Sequence, residues 1–432
     1  MLKHIKTIWQ KAIGTEERKR LFGNIASLGI LQGLNYLLPM ITFPYQVRVL
    51  GTDKYGLLAF ASATIAYFQI LVDYGFNLTG PREIAIHRDN KEKLSEIVSS
   101  VIQIKLGLFI IAAFLLVFIV SFVNRFRQDA LVYYITFITI FGQILFPVWF
   151  FQGMERMKYI TIFNVIARTI FTALIFVFVR QEADYYKVPL LSAIGSFIAG
   201  IGSLYVMRRS FGIKFKWQRK SILSHYFKES FSIFISSFAV SMYTSSTTFI
   251  LGFFASNTEI GYYAAANKII QIVKSLLSPI TQSLYPFISK KIHEDKENGI
   301  IIIRKLLKYI ALATFFFSCL LFLAAPPLIH FLMGDQYLQS VTPLRIMAFL
   351  PFIIALSNIF GIQTMLPFGR NKAFSRIIIV GSLMNIALSF LFVPWLKYVG
   401  SAISVTIVES FITLSMFLYL QKEGFNIISI RK

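Results

Sequence analysis

The chain has 432 residues, of which 56% are hydrophobic and 15% are charged, and its formal net charge at pH 7 is +23. A mean hydropathy of +0.66 is too apolar for a soluble globular domain or a disordered chain. This composition predicts an all-α membrane protein that crosses the bilayer many times.

The apolar stretches predict about twelve membrane-spanning helices, with ends uncertain by about two to four residues. Those in the first half are residues 21–43, 55–76, 99–123, 130–151, 159–179 and 188–207. Those in the second half are residues 231–254, 261–287, 309–329, 346–366, 377–395 and 402–420. We therefore predict two six-helix lobes, residues 1–208 and 229–432, joined by a basic cytoplasmic linker at 209–228.

The distribution of basic residues predicts the orientation of these helices. Of the 43 lysines and arginines, 31 lie in the two terminal segments and in the loops after the second, fourth, sixth, eighth and tenth helices. Another 8 lie in the remaining loops and 4 lie within helices. Because basic loops stay on the cytoplasmic side, both termini are predicted to be cytoplasmic. The basic stretch 208–220 is then a linker beside the anionic leaflet, and we expect no nucleic-acid partner.

Sequence motifs of enzymes and of metal sites are absent. The chain has no G-x-x-x-x-G-K-[ST], H-E-x-x-H, G-x-S-x-G or C-x-x-C motif. Its five histidines are scattered, and its single cysteine, Cys319, excludes an intrachain disulfide. We expect no enzymatic activity, no cofactor and no metal ion.

Two stretches suggest that the chain is internally duplicated. Residues 51–65 and 256–270 align at an offset of 205 with four identities, among them Gly56 with Gly261. Each stretch opens the second helix of a predicted half. Two halves that enter the membrane from the same side would be related by an axis along the membrane normal, which suits alternating access.

A permanent cation occupies the middle of the fifth predicted helix. Arg168 is the tenth residue of the 21-residue apolar stretch 159–179, which as a helix spans about 31 Å, close to the hydrocarbon core of about 30 Å. A guanidinium cannot be neutralised there, and its insertion costs about 3 kcal/mol. Its central position argues against snorkelling. Two alternatives remain: a cavity-facing ligand for anionic groups, or one half of a structural ion pair.

Three lysines also fall within predicted helices. Lys268 and Lys274 lie six residues apart in the eighth helix, about 120° from each other on a helical wheel. Each is a candidate substrate contact. Lys105, in the third helix, is a further candidate, although a short snorkel to the interface would also rescue its charge.

Two acidic residues complete the set of membrane charges. Asp73 is interpreted as a cap or a salt-bridge partner, with Arg82 as the candidate cation. Glu409 has two alternatives, a proton-coupling group or the counter-ion of a lysine. Neither alternative is selected by the sequence.

Short stretches of the sequence carry a resemblance to a known family. The first half contains NYLLPMITFPYQVRVLG at 35–51, VDYGF at 72–76, REIA at 82–85 and PVWFFQGMERMKYIT at 147–161, and the second half contains GYYAAANKI at 261–269. These stretches resemble the polysaccharide (O-antigen, Wzx-type) flippases of the multidrug/oligosaccharidyl-lipid/polysaccharide exporter superfamily.

The resemblance implies a V-shaped pair of six-helix lobes working by alternating access. It implies a bacterial cytoplasmic-membrane flippase for surface polysaccharide, including lipopolysaccharide O-antigen. The implied substrate is a polyprenyl-diphosphate-linked oligosaccharide, and the implied partners are the lipid bilayer and other polysaccharide assembly proteins. The alternatives are export of another amphiphile on the same fold, such as a drug or a peptidoglycan precursor, and a non-transporting scaffold.

The first predicted helix departs from the drug exporters of that superfamily, which usually carry an acidic residue there. It offers Asn24, Gln32 and Asn35, which lie within about 80° on a helical wheel, and no acid. This pattern disfavours a cation exporter and makes the three residues candidate contacts for a substrate whose charge is negative.

Overall fold

The computed structural model describes the backbone of residues 16–425. Side chains are described within this range except at residues 16–32, 34–36, 239–240, 242–244, 276–280, 282–283 and 287. The described residues form helices and no strand, which confirms the predicted all-α class. Contacts group the chain into two compact units, unit 1 (Met1–Thr42 and Ile65–Phe238) and unit 2 (Phe43–Thr64 and Ala239–Lys432).

Fourteen α-helices are numbered here in chain order over the described residues. The first eight are α1 (Glu16–Asp73), α2 (Phe76–Ile86), α3 (Lys91–Phe122), α4 (Asn124–Arg127), α5 (Ala130–Leu145), α6 (Val148–Gly153), α7 (Met157–Phe178) and α8 (Lys187–Phe211). The others are α9 (Lys220–Phe254), α10 (Asn257–Glu294), α11 (Lys296–Met333), α12 (Val341–Met347), α13 (Leu350–Phe360) and α14 (Asn371–Lys422). Short 3₁₀ turns at Glu182–Tyr186 and Asp335–Ser340 and a π turn at Gly361–Met365 complete the described helical segments.

Two of these helices are long enough for two membrane crossings each. Helix α1 has 58 residues and breaks at Gly51 (φ 68°), and α14 has 52 residues and breaks at Lys397 (φ 50°). At about 1.5 Å per residue, each is more than twice as long as the hydrocarbon core of a bilayer. The breaks fall between the predicted first and second helices and between the predicted eleventh and twelfth helices.

The chain is a multi-pass membrane protein. Within the described residues, eight helical segments are long and apolar enough to cross a membrane, and one of them, Asn371–Lys422, contains the break in α14. The number of helices predicted from hydropathy, about twelve, therefore stays a prediction.

The segment between α8 and α9 is extended and is bound to α3. Three backbone N–H groups of this segment donate to three buried side chains of α3: Lys214 to Ser95 Oγ (3.1 Å), Lys216 to Ser99 Oγ (3.0 Å) and Gln218 to Gln103 Oε1 (3.1 Å). The acceptors are four residues apart and so share one face of α3. The predicted linker at 209–228 thus includes an ordered strap, and its last part already belongs to α9.

In unit 2, the two glycines paired by the internal repeat lie against each other. A Cβ placed on Gly56 would clash with the Asn257 carbonyl oxygen, and one placed on Gly261 would clash with the Thr52 carbonyl oxygen. Thr52 and Asn257 are also 205 residues apart, so the contact is reciprocal in the way that a two-fold related contact is. This reciprocity supports the proposed duplication.

Candidate functional site

Unit 1 contains a cavity of about 650 Å³ that is lined by both polar and apolar side chains. Its lining comes from α1, α2, α3, α5, α6, α7 and α8, which belong to segments long and apolar enough to cross a membrane. The charged residues of the lining are Asp73, Lys105 and Arg168. A mostly apolar cavity with a few charged and polar side chains is the usual form of a substrate site, and charged residues within membrane helices usually face such a cavity.

The cavity forms where two helices are interrupted. Between α1 and α2, Tyr74 and Gly75 both have positive φ values, 46° and 81°, which end α1 at Asp73 and restart the chain as α2. Between α5 and α6, Pro147 has no N–H to donate, and the fourth predicted helix (130–151) is therefore broken there. Interrupted helices are the common scaffold of transporter sites because they free backbone and side-chain polar groups.

Aromatic packing stabilises the α1–α2 break. The ring of Tyr74 stacks on Phe227 and Phe234 of α9, with centroid distances of 4.3 and 4.8 Å. A Cβ on Gly75 would lie 2.9 Å from Ile233 Cγ2, so this position requires glycine for space as well as for its backbone conformation. The residues of α9 that stabilise the break are not part of the cavity lining, whereas Asp73, the last residue of α1, is part of it.

Asp73 forms an ion pair with Lys105 across the cavity wall. The Lys105 Nζ to Asp73 Oδ1 distance is 2.9 Å, and the two side chains are 4% and 27% exposed. Lys105 therefore does not snorkel. The predicted partner of Asp73 was wrong: Arg82, which lies on α2 beyond the break at Tyr74 and Gly75, is 67% exposed and approaches Glu229 at 3.8 Å.

Arg168 is the cation of the cavity lining for which the described side chains offer no counter-ion. It lies on α7, is half-buried and makes no hydrogen bond or ion pair with any residue whose side chain the structure describes. Since Asp73 and Lys105 neutralise each other, the lining keeps one net positive charge. Of the two alternatives for Arg168, the geometry favours the ligand for an anionic group.

The other predicted charges belong to unit 2. Lys274 on α10 is half-buried and interacts electrostatically with Glu409 on α14, which supports the counter-ion alternative for Glu409. Lys268 is half-buried on the same helix as Lys274. These three residues are not in the lining of the unit 1 cavity, and their role as substrate contacts stays a prediction.

The side chains of Asn24, Gln32 and Asn35 lie outside the described part of the structure. Their backbone belongs to α1. Their predicted role as substrate contacts stays untested. Among the residues that are described, no group of three His, Cys, Asp or Glu side chains could hold a metal ion.

Five carboxamide side chains in the cavity lining were missed by sequence reasoning, which followed charge. They are Gln69, Asn77, Gln143, Gln152 and Asn164. Gln69, Gln143 and Asn164 lie inside predicted membrane helices, where an amide is costly unless it has a polar partner. The cost of placing an amide in a membrane helix could therefore have identified these three residues as candidates from the sequence.

Comparison with known proteins gives both a family and a fold. The model of the family described as polysaccharide biosynthesis protein matches residues 21–292. A relative from Escherichia coli (strain K12), named "Putative O-antigen transporter", is 35% identical over 403 residues, which cover 92% of this chain and 96% of the relative.

Two solved structures are similar in fold. The lipid II flippase MurJ in an inward closed conformation has a TM-score of 0.71 at 15% identity, with 93% of this chain and 89% of MurJ covered. An inward-facing MATE family multidrug resistance transporter of the MOP superfamily has a TM-score of 0.66 at 14% identity, with 95% and 100% covered. At these identities the likeness shows a shared fold.

Proposed function

The chain belongs to the polysaccharide biosynthesis protein family, and from that premise we propose that it is a flippase for a lipid-linked oligosaccharide. It moves a polyprenyl-diphosphate-linked glycan from the cytoplasmic to the outer leaflet of the bacterial cytoplasmic membrane. The chemistry is transport without covalent change of the substrate. Other polysaccharide assembly proteins supply the substrate on one side and use it on the other.

The observation that carries this proposal is Arg168, a permanent cation in a cavity of a membrane protein with no counter-ion among the side chains that the structure describes. A guanidinium binds phosphate oxygens bidentately, and such charge-assisted hydrogen bonds are the strong ones. A diphosphate therefore supplies both the charge and the geometry that Arg168 needs. The cost of keeping Arg168 in the membrane is met when the substrate binds.

The polyprenyl tail and the glycan occupy different environments during transport. The polyprenyl tail stays in lipid, because moving it out of the bilayer would expose many apolar CH₂ groups at about 0.8 kcal/mol each. The diphosphate and the glycan enter the cavity. By likeness to the fold of MurJ and the MATE transporters, exchange between the two leaflets occurs by alternating access.

The orientation is also part of the proposal. The excess of lysine and arginine in one set of loops supports cytoplasmic termini. The substrate is made on that side, so the cavity takes it up when it opens to the cytoplasm.

Complementation of a deletion strain tests the function. We expect Arg168→Ala to accumulate in the membrane but to lose surface glycan, because a lost charge-assisted contact costs about 1.5–3 kcal/mol, or roughly ten- to a hundredfold in affinity. Arg168→Lys should keep part of the export, since it keeps the charge and loses the bidentate fork. Arg127→Ala, the same change at an exposed arginine outside the cavity, serves as the matched control.

Protein abundance, surface glycan and the lipid-linked glycan pool are measured in the same cells. The proposal expects the pool to rise in the deletion strain and in Arg168→Ala. Normal export by a well-expressed Arg168→Ala would contradict the ligand role, and a pool that does not change on deletion would point to export of another amphiphile. Loss of the Arg168→Ala protein itself would favour a structural ion pair.

A further inference from the structure

The cavity lining contains hydrogen-bonding groups beyond the donors that a diphosphate requires. A phosphate group offers only hydrogen-bond acceptors, so a phosphate site needs donors, and the oxygen of a carboxamide beside it would be repelled. The lining nevertheless contains the five carboxamides Gln69, Asn77, Gln143, Gln152 and Asn164. A carboxamide can both donate and accept hydrogen bonds. It therefore suits a ligand with hydroxyl groups, which also donate and accept hydrogen bonds.

Two of these amides have their full hydrogen-bonding capacity available. In the part of the chain whose side chains are described, neither Asn77 nor Gln152 has a side-chain hydrogen bond to the protein. Asn77 lies in the first turn of α2, just after the α1–α2 break, and Gln152 lies in the short helix α6, just after the Pro147 break. Each of the two helix interruptions therefore places one amide in the cavity lining, and neither amide has a partner among the described side chains; Asn77 is exposed and Gln152 is half-buried.

The other three amides are partly used. Gln69 Nε2 donates to Gln143 Oε1, which joins α1 to α5 and leaves one oxygen and one nitrogen of the pair available. Asn164 Nδ2 donates to the Ile160 carbonyl at 2.9 Å and keeps its oxygen. Asn164 is also one turn before Arg168 on α7, so an amide and the cation share one face of that helix.

Two of the four hydroxyl side chains in the lining donate to carbonyls of their own helices, and the other two, Thr172 and Ser192, have no side-chain hydrogen bond among the described residues. Thr42 Oγ1 donates to the Leu38 carbonyl at 3.0 Å, and Ser196 Oγ donates to the Ser192 carbonyl at 2.9 Å. The five amides, each of which carries a donor and an acceptor, are therefore the more numerous neutral polar groups of the lining. Two aromatic rings, Phe146 and Phe171, add apolar surface to the same lining, as binding of a sugar ring with polar edges and apolar faces requires.

The volume also exceeds the needs of a diphosphate. The cavity volume is about 650 Å³. It falls within the range of about 300–1,000 Å³ typical of pockets for larger organic ligands. A diphosphate bound at Arg168 would leave most of this space for the part of the substrate attached to it.

We propose that the carboxamides Asn77 and Gln152, supported by Gln69, Gln143 and Asn164, form a carbohydrate subsite that binds the hydroxyl groups of the glycan and determines which glycan is flipped. The inference rests on the proposed function and deepens it. Arg168 binds the part that all lipid-linked glycans share, and the amides bind the part in which they differ. The two sets of residues therefore have separable effects on binding.

A two-probe binding experiment separates them. The full-length protein in lipid nanodiscs is titrated with undecaprenyl diphosphate, which carries no sugar, and with the lipid-linked glycan extracted from the deletion strain. The test variant is Asn77→Leu with Gln152→Met, which removes both amides at similar volume. Gln128→Met, the same change at an exposed site outside the cavity, is the matched control.

We expect the double variant to bind the glycan-bearing probe roughly tenfold more weakly, since two net hydrogen bonds of about 0.5–1.5 kcal/mol each are lost. Its affinity for undecaprenyl diphosphate should stay within about twofold of the wild type, whereas Arg168→Ala should weaken both probes. Asn77→Ser with Gln152→Ser, which keeps polar groups, gives a second measurement if the apolar variant folds poorly, and the same loss for the glycan-bearing probe is expected.

Four results would overturn the inference or its premise. Equal affinity of the wild type and both double variants for the glycan-bearing probe would overturn the carbohydrate subsite alone, and so would an equal loss for both probes in the double variants. Unchanged binding of both probes by Arg168→Ala, or no binding of either probe by the wild type, would overturn the proposed function itself.

Discussion

Lys105 is almost fully enclosed by protein, and its 2.9 Å contact with Asp73 compensates the burial of its charge. A buried pair contributes little net stability, but removing one partner leaves the other charge uncompensated. The pair also determines the charge of the cavity, because it cancels and leaves Arg168 as the net positive group. A change at Lys105 should therefore appear first in stability.

Lys105→Met is expected to lower the stability of the protein. The loss for a fully buried pair is about 3–5 kcal/mol, and here it should lie at or below the lower end of that range because Asp73 is 27% exposed. Adding Asp73→Asn to the same variant should restore most of it, since no charge is then stranded. Thermal unfolding in detergent, followed by tryptophan fluorescence, measures both, and Lys220→Met is the exposed control. A single variant as stable as the wild type would contradict the structural role of the pair.

At the scale of residues, the sequence identified charges within apolar stretches and gave a lysine partner for Glu409 as one alternative, but it named the wrong partner for Asp73. Arg168 could be located because a single arginine in 21 apolar residues is a local signal. The partner of Asp73 is 32 residues away on another helix, and the choice between Lys105 and Arg82 depends on the direction that the chain takes after Tyr74. Local sequence does not contain that direction.

Among the helices, the interruptions matter more for the site than the helix ends. The break at Tyr74 and Gly75 and the break at Pro147 place side chains from α2 and α6 at the cavity. Hydropathy predicted the apolar extent of the fourth helix, 130–151, and did not detect that it is two helices. It could not do so because hydropathy does not respond to a missing N–H or to a positive φ.

Gly75→Ala is predicted to destabilise unit 1 at the α1–α2 break. An alanine at φ 81° costs about 1–2 kcal/mol, and its Cβ would also lie 2.9 Å from Ile233 Cγ2. Gly107→Ala is the matched control, because Gly107 is within α3 and has no atom within 4 Å of an added Cβ. That control should be neutral or more stable, by up to about 1 kcal/mol, since alanine favours the helix. Equal unfolding temperatures for the two variants would be incompatible with a required glycine at position 75.

For the whole molecule, the membrane class and the helical fold followed from composition, because the apolar excess is present in every part of the chain. The contacts, however, group residues 43–64 with the second half of the chain, although α1 is continuous through this segment apart from the break at Gly51. Such a grouping depends on long-range packing, of which the contact of Gly56 with Asn257 is one instance. The predicted division at 208 and 229 used only sequence order and loop charge.

The orientation of the whole chain can be tested with single cysteines in a Cys319→Ser background. Asn124 and Ser210 are both exposed, one in the loop after the third predicted helix and one in the basic segment after the sixth. We expect a membrane-impermeant thiol reagent added to intact cells to label Asn124→Cys and not Ser210→Cys. The reason is that Ser210 lies in the basic segment, which is predicted to be cytoplasmic. Permeabilised cells should label both. Labelling of Ser210→Cys alone in intact cells would show that the orientation is opposite to the predicted one.

The most direct test of the central claim is the rate at which the lipid-linked glycan changes leaflet in proteoliposomes. Glycan extracted from the deletion strain is reconstituted with purified protein, and its outer-leaflet fraction is followed with an impermeant glycan-binding probe, with and without an imposed proton or sodium gradient. The account predicts flipping by the wild type and by Arg127→Ala, an intermediate rate for Arg168→Lys, and a rate at least about tenfold lower for Arg168→Ala. Flipping by Arg168→Ala at the wild-type rate, or no flipping by the wild type under any of these gradients, would contradict it.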